Sequence, residues 1–235
     1  MPTTDLEPVV ERPEQYWSDA QIAGQYDHGR FSGLKGRLYR WREERIIEAA
    51  FANVPQRSRV LDAACGTGRI TTLLARRGLQ VTGCDISRAM MTVAHGRMQA
   101  ALHRAIPLVQ GRAQSLPYRD DAFAAASCIG LLMHLDRCAR VRVLTELARV
   151  TRGPVVLQYG CLDRLRRPGV FAAGRPPGNV RFTIPVLDMQ LDFARARLIE
   201  CARFWILPGW STSVVVVAQR RRDRGAPFRA LSVDR

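Results

Sequence analysis

Arg59-Val60-Leu61-Asp62-Ala63-Ala64-Cys65-Gly66-Thr67-Gly68-Arg69-Ile70-Thr71-Thr72-Leu73-Leu74 is the stretch that decides the fold. Val60 to Ala64 is a short apolar run broken only by Asp62, a pattern suited to a strand buried on both faces of a parallel sheet. Gly66 and Gly68 then flank Thr67, and Ile70, Leu73 and Leu74 follow at helical spacing. Strand, glycine turn and helix in that order place backbone N–H groups and a helix N-terminus at the carboxyl end of the strand. Such a junction suits a nucleotide-like ligand.

The neighbouring residues discriminate among nucleotide binders. A dinucleotide fingerprint has a third glycine three positions after the second, and Thr71 stands there, which speaks against nicotinamide cofactors. A second apolar strand, Leu79 to Cys84, ends in Asp85, roughly 20 residues beyond the glycines and placed to accept hydrogen bonds from ribose hydroxyls. As a set, Asp62, Ala64, Gly66, Gly68 and Asp85 resemble the first motifs of the class I S-adenosylmethionine-dependent methyltransferases. Ala64 replaces the family's first glycine, which asks for a less demanding backbone angle there.

The resemblance implies further cofactor-binding positions. Ile86 follows the ribose acid, and Met90 matches a residue against the adenine edge; plain core packing is the alternative for Met90. Gly111-Arg112-Ala113 through Leu116-Pro117-Tyr118 is similar to the family's adenine loop, with Arg112 where the family has an acid. The backbone N–H at Ala113 is expected to keep its contact. Arg112 either lies on the adenine as a cation–π partner or points into water. Ile129 and then Gly130-Leu131-Leu132-Met133-His134-Leu135 fall at the end of the fourth strand, near cofactor and acceptor in the family. His134 is the candidate catalytic base for an oxygen nucleophile; its alternative role is to pack and hydrogen-bond there without proton transfer. Asp120, Asp121 and His28 are weaker candidates.

At 235 residues, 47% hydrophobic and 24% charged, the chain has the composition of one soluble globular domain with short extensions. No apolar run approaches the roughly 20 residues of a membrane span. The amino end carries Asp5, Glu7, Glu11 and Glu14 and does not read as a signal peptide, so a cytoplasmic location is expected. The net charge of +15 comes almost wholly from arginine, since Lys35 is the sole lysine. A codon preference spreads arginine in this way. Nucleic acid therefore remains a possible but disfavoured partner. Cys65, Cys84, Cys128, Cys138, Cys161 and Cys201 form no C-x-x-C pair, so reduced core cysteines are expected and neither zinc nor disulfides.

Taken in order, residues 1–37 read as an amino-terminal cap or extension, 38–220 as a Rossmann-like methyltransferase domain and 221–235 as a basic tail. Residues 1 to about 15 are expected to be loose. In the cap, Tyr26, His28, Arg30 and Phe31 help form an acceptor pocket, or the aromatics of the segment, Tyr16, Trp17, Tyr26 and Phe31, staple it to the core. A helix is predicted over Leu38 to Asn53, with Leu38, Trp41, Ile46, Ile47 and Ala50 near one face. Further helices are predicted over Arg88 to about Leu102, capped by Ser87, over Arg137 to Val150, capped by Asp136, and over Leu187 to Ala196. Strands are predicted at Ile106–Gln110, Ala122–Ile129, Val155–Tyr159, Leu198–Phe204 and Ser213–Ala218. Residues 160–183, rich in Arg, Gly and Pro, read as a lid or a surface insertion. The alternation predicts a doubly wound α/β fold, and the resemblance implies a seven-stranded sheet, mostly parallel, whose last strand is antiparallel.

The resemblance implies S-adenosylmethionine as cofactor and methyl transfer to a small-molecule acceptor through an O-, N- or C-nucleophile. No asparagine–aspartate pair suggests a magnesium catechol site, and no asparagine-proline-proline-aromatic motif suggests a base amino group as acceptor. Two alternatives stay open: an RNA-directed methyltransferase, and a cofactor-binding protein of the same fold without transfer activity.

Overall fold

A computed structural model of the protein describes residues 19–162 and 182–221. The readings made for residues 1 to 15, Tyr16, Trp17, most of 160–183 and nearly all of the basic tail lie outside them. In chain order the helices are α1 (Ala20–Phe31), α2 (Gly33–Ala50), α3 (Arg69–Arg76), α4 (Arg88–Leu102), α5 (Arg137–Val150) and α6 (Val186–Arg195). The strands are β1 (Arg59–Ala63), β2 (Gln80–Asp85), β3 (Leu108–Gln110), β4 (Ala125–Cys128), β5 (Pro154–Leu162), β6 (Ile184–Pro185), β7 (Leu198–Trp205) and β8 (Ser213–Arg220).

Seven strands run in the order β3-β2-β1-β4-β5-β8-β7, and the two-residue β6 adds an eighth beside β5. The β1, β2, β3, β4 and β5 pairings are parallel, whereas β8 runs antiparallel to both β5 and β7. The predicted fold class is borne out, with β6 as an addition. Strand order reverses between β1 and β4, the place where open α/β sheets gather ligands.

Burial on both faces explains the apolar strands. In β8, Val214 and Val216 join one core with α5 and α6, while Val215 and Val217 join the other with α2, α3 and α4. Helices thus cover both sides of the sheet, and an uninterrupted valine run is what a strand between two cores requires. The predicted β4 spans only four residues here, and β3 begins after Pro107, which has no N–H to give the ladder. Cys65, Cys84, Cys128 and Cys161 are buried as expected, but Cys138 is exposed. Among the described residues no helix is long and apolar enough to cross a membrane.

The amino-terminal reading needs two corrections. The described part of the segment before residue 38 is helical over residues 20–31 and from Gly33 on, with Asp19 capping α1 through hydrogen bonds from the N–H groups of Gln21 (2.7 Å) and Ile22 (3.3 Å). Helix α2 begins at Gly33, so the expected boundary at residue 38 falls inside it. The helix is also rotated relative to the prediction. Its buried face is Glu43, Ile46, Ile47 and Ala50, while Leu38 and Trp41 are exposed. Positions 43, 46, 47 and 50 follow the i, i+3, i+4, i+7 spacing of one face; Leu38 and Trp41 fall on the other side.

Candidate functional site

After β1 the chain turns through three left-handed residues, Ala64 (φ 53°), Gly66 (φ 52°) and Gly68 (φ 73°). Ala64 therefore does not relax the angle as expected. It holds the glycine conformation at a cost of about 1–2 kcal/mol. Gly68 is required on a second ground: a Cβ there would stand 2.8 Å from the Ala94 Cβ, so α3 and α4 meet across it.

Two carboxylates pin this loop. Asp62, buried in β1, accepts hydrogen bonds from the Thr71 hydroxyl (2.7 Å) on α3 and the Ser127 hydroxyl (2.7 Å) on β4. It thereby ties the strand pair at the switch point to the helix after the loop. Burial pushes its carboxyl up to about 6, against the two hydroxyls and Arg69, which favour the ionised form. Asp85, at the end of β2, accepts from the Gly66 N–H (2.8 Å) and the Ser87 N–H (2.8 Å). Its carboxyl is also raised by burial, partly offset by these N–H groups. Each carboxylate oxygen has a second lone pair, so Asp85 keeps accepting capacity for a ligand. Ser87 caps α4 as predicted, through the Met90 N–H (3.1 Å).

A cavity of about 450 Å³ opens over the loop, within the size range of small-molecule sites. Of the sequence-predicted positions, Ala64, Gly66, Asp85, Ile86, Met90, Arg112, Ala113, Ile129 and His134 line it. Asp62 and Gly68 do not, because the first is enclosed within the sheet and the second is packed on α4; both shape the loop instead. Tyr26, Arg30 and Phe31 of the cap are on the wall, joined by Asp27, whereas His28 is not. Gly111 N–H donates to the Asp85 carbonyl (2.9 Å), which sets the loop carrying Arg112 and Ala113 beside Asp85. That loop is clasped from α5: Glu146 accepts from the Leu116 N–H (2.8 Å), and Arg149 donates to the Tyr118 carbonyl (2.7 Å).

Helix α1 closes over the cavity through charge. Asp27 accepts from the Thr67 hydroxyl in the glycine loop (2.9 Å) and forms an ion pair with Arg97 of α4. Arg30 donates to the Tyr26 hydroxyl (2.8 Å) and to the Gln158 side-chain oxygen (3.3 Å), and pairs with Glu43 at 3.5 Å. Glu43, fully buried, also pairs with Arg69 and accepts from the Gln158 amide. Burial acts to raise the Glu43 carboxyl, but Arg69 and Arg30 outweigh it and hold the group below the usual range. Sequence reading missed Asp27, Glu43, Arg69, Arg97 and Gln158. The available signal was Glu43 at helical spacing among Ile46, Ile47 and Ala50.

His134 closes a short 3₁₀ turn, Leu132–His134, after β4. The turn is held on both sides: Phe182 N–H donates to the Met133 carbonyl (2.7 Å), and Arg140 donates to the Leu135 carbonyl (2.9 Å). Arg140 is fixed in turn by the buried Asp192 of α6 (2.8 Å). Asp136 caps α5 as predicted, accepting from the Ala139 N–H. Asp120 and Asp121 instead pair with Arg149 and Arg220, and neither lines the cavity.

Residues 60–153 match the family model described as a methyltransferase domain. The demethylmenaquinone methyltransferase of Corynebacterium kroppenstedtii is 39% identical over 95 residues, 40% of this chain and 37% of that protein. That of Thermobifida fusca is 33% identical over 131 residues, 56% of this chain and 53% of its own length. The chain thus spans about half or less of these curated relatives. Among solved structures, magnesium protoporphyrin IX methyltransferase from Synechocystis PCC 6803, with bound SAM, matches with a TM-score of 0.67 at 16% identity. The match covers 88% of this chain and 95% of that one, and at such identity the likeness is one of fold. The resemblance to class I methyltransferases is borne out.

Two outcomes follow from the charges around the loop. Glu43→Gln leaves Arg30 without its carboxylate and Arg69 with Glu44 alone, and breaking a buried pair costs about 3–5 kcal/mol. Thermal unfolding should register this as a fall of roughly 6–20 °C at 2–4 °C per kcal/mol; an unchanged midpoint would show that the ion cluster does not hold the cap. Asp62 has a folded-state pKa above its unfolded value of about 3.9, so its favourable contribution is present below that value and lost as pH rises through about 6. Denaturant titrations should show the wild type losing stability relative to Asp62→Asn across that window, and parallel curves would refute the assignment.

Proposed function

We propose that this chain, whose residues 60–153 match the methyltransferase domain family, binds S-adenosylmethionine in its cavity and transfers the methyl group to a small-molecule acceptor. The observation that carries the reading is the switch-point cavity, where a left-handed loop and the Asp85 carboxylate share one wall. The residues fit the cofactor. At Gly66 a Cβ would meet nothing within 4 Å, so the glycine leaves the cavity wall open beside the Asp85 carboxylate to which its N–H donates. Asp85 would hold the ribose hydroxyls, Ile86, Met90 and Ile129 would enclose the base, and the Ala113 N–H would meet the adenine.

The cofactor supplies a methyl already activated on a sulfonium, so the protein contributes alignment and a dry site. Helix α1 excludes water, through the Asp27 and Arg30 contacts that seat it. His134, on its braced turn, takes the proton of an oxygen acceptor. The curated relatives are named for demethylmenaquinone and the solved neighbour for magnesium protoporphyrin IX. Those names support a small-molecule acceptor. The RNA-directed alternative rests on the arginine excess alone.

Calorimetry with the cofactor and a metabolite screen with labelled methyl donor test the reading together. Asp85→Ala should weaken cofactor affinity by about 10- to 150-fold, equivalent to 1.5–3 kcal/mol for hydrogen bonds to a charged group; equal affinity would remove the ribose assignment. His134→Ala should lower turnover by about 10²–10⁴-fold with cofactor affinity little changed. Turnover within a few-fold of wild type would leave His134 a packing role.

A further inference from the structure

The rotation of α2 leaves apolar side chains exposed among the described residues. Leu34, Leu38 and Trp41 are 79%, 45% and 56% exposed. At 100° per residue they share one narrow stripe with Arg45, directly opposite the buried Glu43, Ile46, Ile47 and Ala50. Trp210, 60% exposed in the connection between β7 and β8, lies beside the same helix, with the Lys35 ammonium 5.9 Å from its ring. The stripe is bordered by cations. Lys35, Arg37 and Arg45 are exposed and Arg42 is half-buried, and among the described residues no salt bridge engages Arg37, Arg42 or Arg45. Neither nearby acid forms a salt bridge with them among the described residues: Glu44 is engaged by Arg40 and Arg69, and no such bridge involves Glu48.

We propose that this face of α2, with Trp210, docks the protein on an anionic lipid surface. Leucine and tryptophan on one stripe with arginine and lysine at its edges is the composition of an interfacial helix. The apolar side chains enter the headgroup boundary, and the cations meet lipid phosphates. A second copy of the chain fits less well. An isologous contact would set Arg37, Arg42 and Arg45 of one copy against the same arginines of the other. RNA would find few planar partners, since two of the four exposed apolar side chains on this face are leucines. The inference is independent of the methyl-transfer reading, although α1, which lines the cavity, runs directly into α2 through Ser32.

The test uses the full chain with vesicles of phosphatidylcholine, alone or mixed with phosphatidylglycerol. Sedimentation should carry the protein with the mixed vesicles, weakly or not at all with the neutral ones, and less at high salt. A Leu38→Gln, Trp41→Gln double variant should unfold at the wild-type temperature and bind about tenfold or more weakly. Arg37→Glu with Arg45→Glu should do the same by removing the electrostatic attraction. Absence of binding would overturn the proposal, as would binding that both variants leave intact, which would place the contact elsewhere on a basic chain. It would also be overturned if these variants broke up a dimer of the free protein, or if short RNA displaced the vesicles.

Discussion

A carboxylate in the middle of a parallel strand must be paired, because an isolated buried charge costs far more than a strand contributes. Asp62 meets that constraint with two hydroxyls from opposite directions, Thr71 on α3 and Ser127 on β4. The register places Asp62 beside Ser127 and Gly83, so the same residue that burdens β1 fixes its alignment with β4. The switch point, the loop and the start of α3 are therefore set by one group. Asp85 completes the arrangement by holding the Gly66 N–H, and the cavity opens where the two carboxylates have shaped the backbone.

The cap obeys a related rule. Glu43 is buried on a helix face that otherwise carries Ile46, Ile47 and Ala50, and it is tolerable there because Arg69, Arg30 and Gln158 converge on it. Arg69 is the first residue of α3, immediately after the glycine loop. The charge cluster thus couples the loop to α1 and α2, and closure over the cavity depends on electrostatics more than on apolar area. Buried ion pairs add little net stability but are costly to break, and that asymmetry suits a part that must sit in one place.

The β1–loop–α3 stretch was legible because each element left a local mark: an apolar run, two glycines, then helical spacing. Ser87 and Asp136 were readable as caps for the same reason, since a cap is chosen by its nearest neighbours. What failed depended on distant partners. Leu38 and Trp41 suit a core face because they are apolar, and Glu43 suits solvent because it is charged. Arg30, Arg69 and Gln158, all on other elements, reverse that preference. Ala64 misled in the opposite way. Its side chain implied a relaxed angle, but Asp62 and Asp85 determine the loop, and alanine accepts the left-handed conformation it is given.

The family match covers one side of the cavity. Residues 60–153 contain the loop, both carboxylates, Met90, Ala113 and His134, the side built largely from backbone geometry. Tyr26, Arg30, Phe31 and Phe182 line the cavity from outside that range. Of these, Arg30 is held by Glu43 and Gln158. The two sides are joined along the Asp27–Thr67 and Glu43–Arg69 contacts, so the same buried charges that seat α1 and α2 also fix how they close on the glycine loop.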